Sequence, residues 1–288
     1  MLCKDRLGNV VIGEGSQDRI LKKMYGSIPG RAFLHIFTKP IISKAVGMFL
    51  STGLSSRLIP YFIKAGKIDM SEYVSRKYSS FNDFFTREIK KNARPADSDE
   101  KALISPADGR ISVYKTDENS VFKIKDSYYT VESITRSKAA AKKYMNGYCV
   151  IIRLCVDNYH RYCYIDNGIL GKSKYINGVL HTVNPYALKH YDIYRENSRE
   201  CTILHTEHFG DVMQIEVGAL MVGKIKNIHT QGTLFKKGSE KGMFEYGGST
   251  IVLLIENNKA VIDGDLMQNT LDGYETKINM GEKIGKSK

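Results

Sequence analysis

From Ala102 to its C-terminus, the chain is divided into short β-branched segments separated by turn residues. Such segments are typical of strands, because Val, Ile, Thr and aromatic side chains pack well on a pleated surface. The segments are ALISPADGRISVYK, SVFKIK, YCVIIRLCV, DVMQIEVGALMVGKI and STIVLLIE. Few long helical patterns interrupt them, although Val131 to Met145 fits a helix. We therefore predict a mainly β domain over residues 71–288.

The region before this domain has a different character. Residues 22–68 carry eight Lys or Arg residues, no Asp or Glu, and many long apolar side chains. Pro40, Gly53 and Pro60 divide this stretch, which indicates short basic amphipathic helices. Such helices lie in the interface of an anionic membrane, so residues 1–70 are predicted to form a membrane-associating helical region. A basic helical subdomain packed on the rest of the protein is the alternative, and either arrangement makes the whole chain α+β.

The charge and cysteine content limit the partners and the compartment. The formal net charge of +12 indicates an anionic partner. The cations of residues 22–68 are mixed with aliphatic side chains rather than with stacking aromatic groups, so we predict an anionic membrane surface and no nucleic acid. Five cysteines without CxxC spacing favour a reducing cytoplasm. No stretch approaches roughly 20 apolar residues. We therefore predict a peripheral protein on the cytoplasmic side of the cell membrane.

The junction between the two regions carries a further helix signal. Glu72 to Lys91 is predicted to be helical, with Ser80 or Asn82 as a cap and basic residues at its end. Residues 92–100 follow as a polar connector that contains Pro95.

The turn before the strand-like run IVLLIE has a chemical possibility of its own. Two glycines, Gly247 and Gly248, allow a strained backbone without a Cβ clash, so the Ser249 hydroxyl can reach back to the Gly248 carbonyl. Attack there would convert the amide to an ester, and β-elimination would then break the chain. Loss of ammonia from the resulting dehydroalanine would leave an N-terminal pyruvoyl group. Gly-Gly-Ser-Thr also fits an ordinary turn into a strand, so the motif alone leaves both interpretations open.

Further short segments accompany this turn in a fixed order. SPADGR presents Asp108 in a turn, and NYHRY places His160 shortly after an apolar run. The others are FNDFFTR at 81–87, ARP at 93–95, LHTVNP at 180–185, VGA and VG within 217–223, and KGSEKGMF at 237–244. In this order and spacing they resemble the phosphatidylserine decarboxylases, from about residue 70 to the end of the chain. The combination is specific, although each segment is short.

The resemblance implies a self-processing enzyme. Cleavage between Gly248 and Ser249 would give a β chain of residues 1–248 and an α chain of residues 249–288 from the same precursor. The pyruvoyl group formed from Ser249 would be a covalent cofactor. It would form a Schiff base with the amine of phosphatidylserine and accept the electrons released with CO2, giving phosphatidylethanolamine. The sequence is compatible with a homodimer but does not fix the oligomeric state.

The resemblance also implies an Asp–His–Ser relay for self-cleavage, in which Asp108 and Ser249 match directly. Family members commonly carry two histidines in Tyr-His-Arg-x-His. His160 matches the first, which is linked to decarboxylation, but Cys163 occupies the second place. An unperturbed thiol is a poorer base at neutral pH than imidazole. Either His160 performs both tasks or His181 supplies the relay base, and Cys163 is a proton carrier or a small buried hydrophobe. The predicted catalytic residues are Asp108, His160, His181 and Ser249.

Two other functions stay open at this point. The chain could decarboxylate another serine-headgroup lipid, or it could be a non-catalytic, basic membrane-binding β protein in which the glycine turn is only a turn. Cys201, His205 and His208 are metal-ligating residue types, but a fourth ligand is lacking and no metal site is predicted.

Overall fold

The computed structural model describes most of the predicted β domain and part of the helical region. The described residues are 2–12, 40–124, 127–155, 157–179, 193–218, 224–245 and 249–288. They form a mixed α+β protein whose helices lie mostly towards the N-terminus, as predicted. Over these ranges, no helix combines the length and the apolar character that a bilayer span requires.

The helices are short. Those described are α1 (Pro40–Leu50), α2 (Ile59–Gly66), α3 (Phe81–Phe85), α4 (Val131–Thr135), α5 (Lys138–Lys143), α6 (Ile193–Glu196) and α7 (Gly264–Leu271), with 3-10 helices at Gly53–Leu58 and Met70–Glu72. The predicted break at Gly53 starts the 3-10 helix between α1 and α2. Pro60 lies in the first turn of α2, where its missing N–H removes no helical hydrogen bond. The expected helix from Val131 to Met145 is two helices, α4 and α5.

The predicted long helix from Glu72 to Lys91 is wrong. Only the short helix α3 forms there, capped as predicted by Ser80, whose hydroxyl accepts from the Asp83 N–H at 3.1 Å. Residues on either side of α3 pair with each other, with Tyr73 and Ile89 forming an antiparallel bridge. Long-range backbone pairing therefore overrides the local helical pattern.

Strands predominate over helices in the predicted β domain, and the first two strands come from residues 1–70, the region predicted to be helical. They are β1 (Cys3–Lys4), β2 (Val10–Ile12), β3 (Ala102–Ile104), β4 (Gly109–Lys115), β5 (Val121–Ile124), β6 (Ser127–Thr130), β7 (Tyr148–Leu154), β8 (Arg161–Cys163), β9 (Gly168–Ile176), β10 (Arg199–Thr206), β11 (Gly210–Val217), β12 (Lys224–Asn227), β13 (Leu234–Phe235), β14 (Glu240–Glu245), β15 (Ser249–Ile255), β16 (Ala260–Ile262), β17 (Glu275–Ile278) and β18 (Lys283–Ser287). Ten of them form one large sheet in the order β13-β9-β10-β11-β15-β7-β4-β17-β1-β2. Smaller sheets are β12-β14-β8, β16-β18-β3 and β5-β6.

The large sheet has a hydrophobic core on each face, and β15 runs through its middle. Every residue of β15 is buried, which explains its uninterrupted apolar sequence. Ile251 and Leu253 enter the first core, which the two three-stranded sheets cover, whereas Val252 and Leu254 enter the second, which includes residues from α4, α5 and α6. Ser249 lies an even number of residues before Ile251, so its side chain faces the first core.

A third cluster joins the N-terminal helices to the β domain. Leu50 and Ile59 from the helical region are buried against Phe81, Phe84 and Phe85 of α3. The described part of the helical region is therefore packed on the domain through α3.

Candidate active site

Three neighbouring strands bring Asp108 and Ser249 to one end of the large sheet. In the registers of β4, β7 and β15, Arg110 lies opposite Arg153, and Ser249 lies opposite Leu154. Asp108 directly precedes β4, so a single strand, β7, separates it from Ser249. Because neighbouring strands are about 4.8 Å apart, the two backbones lie about 10 Å from each other.

His160 lies in the segment that leaves β7 at this same end and returns as β8. Its ring is buried, and Nδ1 is 2.9 Å from the carbonyl oxygen of Asn158. A carbonyl only accepts hydrogen bonds, so Nδ1 carries the proton and Nε2 the lone pair of the neutral imidazole. Phe85 packs on the ring with centroids 4.0 Å apart, and the N–H of Phe244 donates to the His160 carbonyl at 2.9 Å. Phe244 lies five residues before Ser249, so this hydrogen bond connects the segment before the expected cleavage site to His160.

The Asp108 carboxylate is buried and receives its hydrogen bonds from two directions. Arg94 donates from Nε to Oδ1 at 2.9 Å and from Nη2 to Oδ2 at 3.0 Å, and the Met280 N–H donates to Oδ1 at 2.7 Å. The Arg94 guanidinium is also paired with Glu72 at 2.9 Å. The residue after Asp108 is a glycine, Gly109, because a Cβ at that position would lie only 2.8 Å from the carbonyl oxygen of Arg153. The pairing of Arg94 with Asp108 has no signal in the sequence beyond the presence of both residues in the matching segments.

Cys163 lies beside the turn that carries Asp108. Its N–H donates to the Pro106 carbonyl at 2.8 Å, and its Sγ is 3.9 Å from the Ser105 carbonyl oxygen. Burial raises the pKa of the Cys163 thiol to about 12, and the Asp108 charge acts in the same direction. The thiol is therefore neutral at physiological pH and belongs to the first hydrophobic core, which favours the buried hydrophobe over the proton carrier.

Ser249 is the first residue of β15 and is fully buried. Its Oγ has no hydrogen-bond partner among the described residues. A buried hydroxyl without a partner is unfavourable for a purely structural serine. Gly247, Gly248 and His181 lie outside the described residues.

The metal-ligating residue types on β10 and after it are engaged separately. His205 Nδ1 lies 2.6 Å from Asp211, and His208 Nδ1 lies 3.1 Å from Asp166. Across the described ranges, His, Cys, Asp and Glu side chains form no group of three that could hold a metal ion.

The matching segments agree with a family model described as phosphatidylserine decarboxylase, which covers residues 81–286. The chain belongs to the phosphatidylserine decarboxylase family. It is 48% identical to phosphatidylserine decarboxylase proenzyme 2 of Clostridium acetobutylicum over 93% of this chain and 91% of that protein. It is 42% identical to a phosphatidylserine decarboxylase proenzyme of Clostridium kluyveri and 41% identical to one of Clostridium botulinum, each over 93% of this chain and 92% of the relative.

Membership of the phosphatidylserine decarboxylase family makes this chain an enzyme. The family match begins at Phe81 and therefore includes Asp108, His160 and Ser249, whereas α1 and α2 lie before it.

Proposed function

We propose that this chain decarboxylates phosphatidylserine to phosphatidylethanolamine after cleaving itself between Gly248 and Ser249. The observation that carries the proposal is the buried Ser249 hydroxyl, which has no hydrogen-bond partner among the described residues and lies at the sheet end where Asp108 also lies. The names of the relatives, all proenzymes, agree with self-processing.

In the proposed self-cleavage, Ser249 Oγ attacks the preceding carbonyl and His160 is the described candidate for the base. His160 Nδ1 lies 2.9 Å from the backbone carbonyl of Asn158, which orients the ring, and Nε2 is the proposed acceptor of the hydroxyl proton. Asp108 is held by Arg94 in a bidentate ion pair at this end of the sheet. His181 remains a second candidate for the base.

The same residues serve the decarboxylation step. A pyruvoyl group formed from Ser249 would supply the electrophilic carbonyl for the substrate amine and a sink for the electrons released with CO2. His160 is proposed to return a proton to the carbon that loses CO2. Phe85 and the first core keep water away from this position.

An anionic membrane surface on the cytoplasmic side is the proposed location of the substrate. The helical region exposes large apolar side chains at Met48, Phe49, Leu54, Leu58 and Tyr61, and the cations Arg57, Lys64 and Lys67 are exposed in the same region. Apolar groups with interspersed cations suit insertion among anionic headgroups.

The proposal is tested by incubating the purified protein with phosphatidylserine and measuring phosphatidylethanolamine. Wild-type protein should form the product, and Ser249→Ala should form none, because the electrophile cannot arise. Asp166→Asn is a matched control, because Asp166 is also a buried carboxylate but is hydrogen-bonded to His208. His208 lies just before β11, at the end of that strand away from Ser249. Product formation by folded Ser249→Ala would refute the assignment of Ser249.

A further inference from the structure

Arg87 is a completely buried guanidinium beside the proposed active site. It follows α3 and contacts two aromatic rings, with Cζ 4.3 Å from the Tyr73 ring centroid and 4.9 Å from that of Phe84. Its Nη2 donates to the Tyr73 hydroxyl at 3.2 Å and to the carbonyls of Asp157 and Asn158 at 3.3 Å each. These contacts hold one nitrogen of the guanidinium.

The other two nitrogens of Arg87 lack an acceptor among the described residues. Nε and Nη1 carry three of the five N–H donors, and both are buried without a hydrogen-bond partner among the described residues. No carboxylate in the described part of the chain pairs with this cation. Burying an unpaired charge is costly, and contacts with two rings offset only part of that cost.

Other buried arginines show how this chain satisfies a guanidinium that is only structural. Arg199 is equally buried, but its Nε, Nη1 and Nη2 donate to the carbonyls of Ile134, Asn197 and Ser133. Arg153 is paired with Glu275 at 2.5 Å. Arg87 differs from both, because its spare donors need an acceptor from outside the described residues.

Arg87 lies close to His160, the proposed base. The Asn158 carbonyl accepts from both Arg87 Nη2 and His160 Nδ1, so one oxygen joins the two side chains. The end of α2 packs on the same segment, since a Cβ on Gly66 would lie 3.3 Å from Asp157 Cβ. Arg87 therefore shares an acceptor with His160, and the segment that provides this acceptor packs against the end of α2.

We infer that Arg87 binds an oxyanion of the phospholipid headgroup, either its phosphate or its serine carboxylate. The inference rests on the proposed function, because it takes the substrate from there. A planar guanidinium with free N–H donors is suited to either oxyanion. Bound in this way, the headgroup is held next to His160, and the anion neutralises the buried charge.

The test uses processed protein whose carbonyl has been reduced with borohydride, so that binding is measured without turnover. Dihexanoyl-phosphatidylserine and dihexanoyl-phosphatidylethanolamine are titrated calorimetrically into wild type and Arg87→Met, a variant that keeps much of the side-chain volume. We expect Arg87→Met to weaken binding at least ~10-fold, the size of a lost charge-assisted contact. Loss for phosphatidylserine alone identifies the carboxylate, and loss for both lipids identifies the phosphate.

The controls separate binding from folding. Arg199→Met removes a buried guanidinium that is already satisfied, and its folded protein should bind both lipids as wild type does. If Arg87→Met does not fold, Arg87→Lys retains the cation without the planar fork and should weaken binding by about 3- to 10-fold. In turnover assays, folded Arg87 variants should raise KM more than they lower kcat.

Unchanged affinity for both lipids in a folded Arg87 variant would overturn the inference. Failure of the proposed function has a different signature, namely a wild-type chain that stays in one piece. Arg87 variants are expected to cleave normally, so the two results are distinguishable in the same samples.

Discussion

At Asp108, one carboxylate joins segments from both sides of the expected cleavage site. Arg94 belongs to the polar connector at residues 92–100, whereas Met280 lies in residues 249–288, and both donate to it. Arg94 is also paired with Glu72, the last residue of the 3-10 helix Met70–Glu72. The hydrogen bonds of Asp108 therefore position the turn and also bind the two expected chains together.

Replacing Arg94 should slow self-cleavage. In Arg94→Met the Asp108 carboxylate keeps the Met280 N–H but loses its bidentate partner, so the side chain is less firmly positioned. We expect a cleavage rate at least ~10-fold lower, with partial recovery in Arg94→Lys, measured as the appearance of two chains with time after synthesis. Equal rates in Arg94→Met and wild type would show that Asp108 does not depend on this pair.

Cys163 should be dispensable for proton transfer. Because burial raises the pKa of its thiol to about 12, the neutral form persists through the physiological range, and the thiolate appears only in strong alkali. The rate at which Cys163→Ala cleaves itself should therefore have the same pH dependence as that of wild type between pH 6 and 9. Denaturing electrophoresis measures this rate through the appearance of the two chains. A loss of cleavage in folded Cys163→Ala would contradict this view of the residue.

Among the elements, the small sheet β12-β14-β8 is fastened to the large sheet by a buried polar network. Lys241 on β14 donates to Glu216 on β11 and to Asn227 on β12, at 2.8 Å each. Tyr162 on β8 donates to the same oxygen of Asn227 at 3.1 Å. Each strand of the small sheet thus contributes one side chain to the network. The network holds β14, the strand that precedes Ser249 in the chain, against the large sheet.

Breaking this network should give a pH-dependent loss of stability. Burial raises the pKa of Glu216, and Lys241 opposes that rise. In Lys241→Met the pKa of Glu216 in the folded state rises further above its value in the unfolded state. As the pH falls, the folded state therefore takes up a proton more readily than the unfolded state, and the loss in the free energy of unfolding becomes smaller. We expect a loss of about 3 kcal/mol at pH 8 and less at pH 5, measured by urea unfolding of the uncleaved Ser249→Ala protein.

The double change Lys241→Met with Glu216→Gln provides the control. It removes both charges, so it should be more stable at pH 8 than Lys241→Met alone. A loss of unfolding free energy in Lys241→Met that does not vary with pH would exclude an uncompensated Glu216 charge as the cause. A double variant less stable than Lys241→Met alone would exclude it as well.

The elements were predictable where local pattern and burial agree. β15 and β7 are mostly apolar because both lie in the middle of the sheet, and their sequences predict them correctly. Glu72 to Lys91 misleads because the pairing of Tyr73 with Ile89 is a tertiary contact that no helical pattern contains. The same limit applies to the site, where the motifs identify Asp108 and His160 but do not predict that Arg94 and Asn158 hold them.

For the whole molecule, the exposed apolar side chains of the helical region predict lipid binding. Changing Met48, Leu54 and Tyr61 together to Ser should reduce cosedimentation with anionic vesicles at least ~10-fold, because each exposed side chain contributes apolar area to insertion. Added salt should weaken the remaining, electrostatic part. Leu234→Ser with Leu271→Ser is a matched control, since both side chains are 78% exposed elsewhere on the molecule. Unchanged binding of the triple variant would place the lipid contact elsewhere.

The proposed function depends on self-cleavage at Ser249, and the intact mass of the purified wild-type protein tests that step most directly. We predict two chains, residues 1–248 and 249–288, with the smaller one lighter by one ammonia than a hydrolytic fragment and reactive towards hydroxylamine. Ser249→Ala should give one chain. A wild-type protein that remains a single chain without a hydroxylamine-reactive carbonyl would contradict the account.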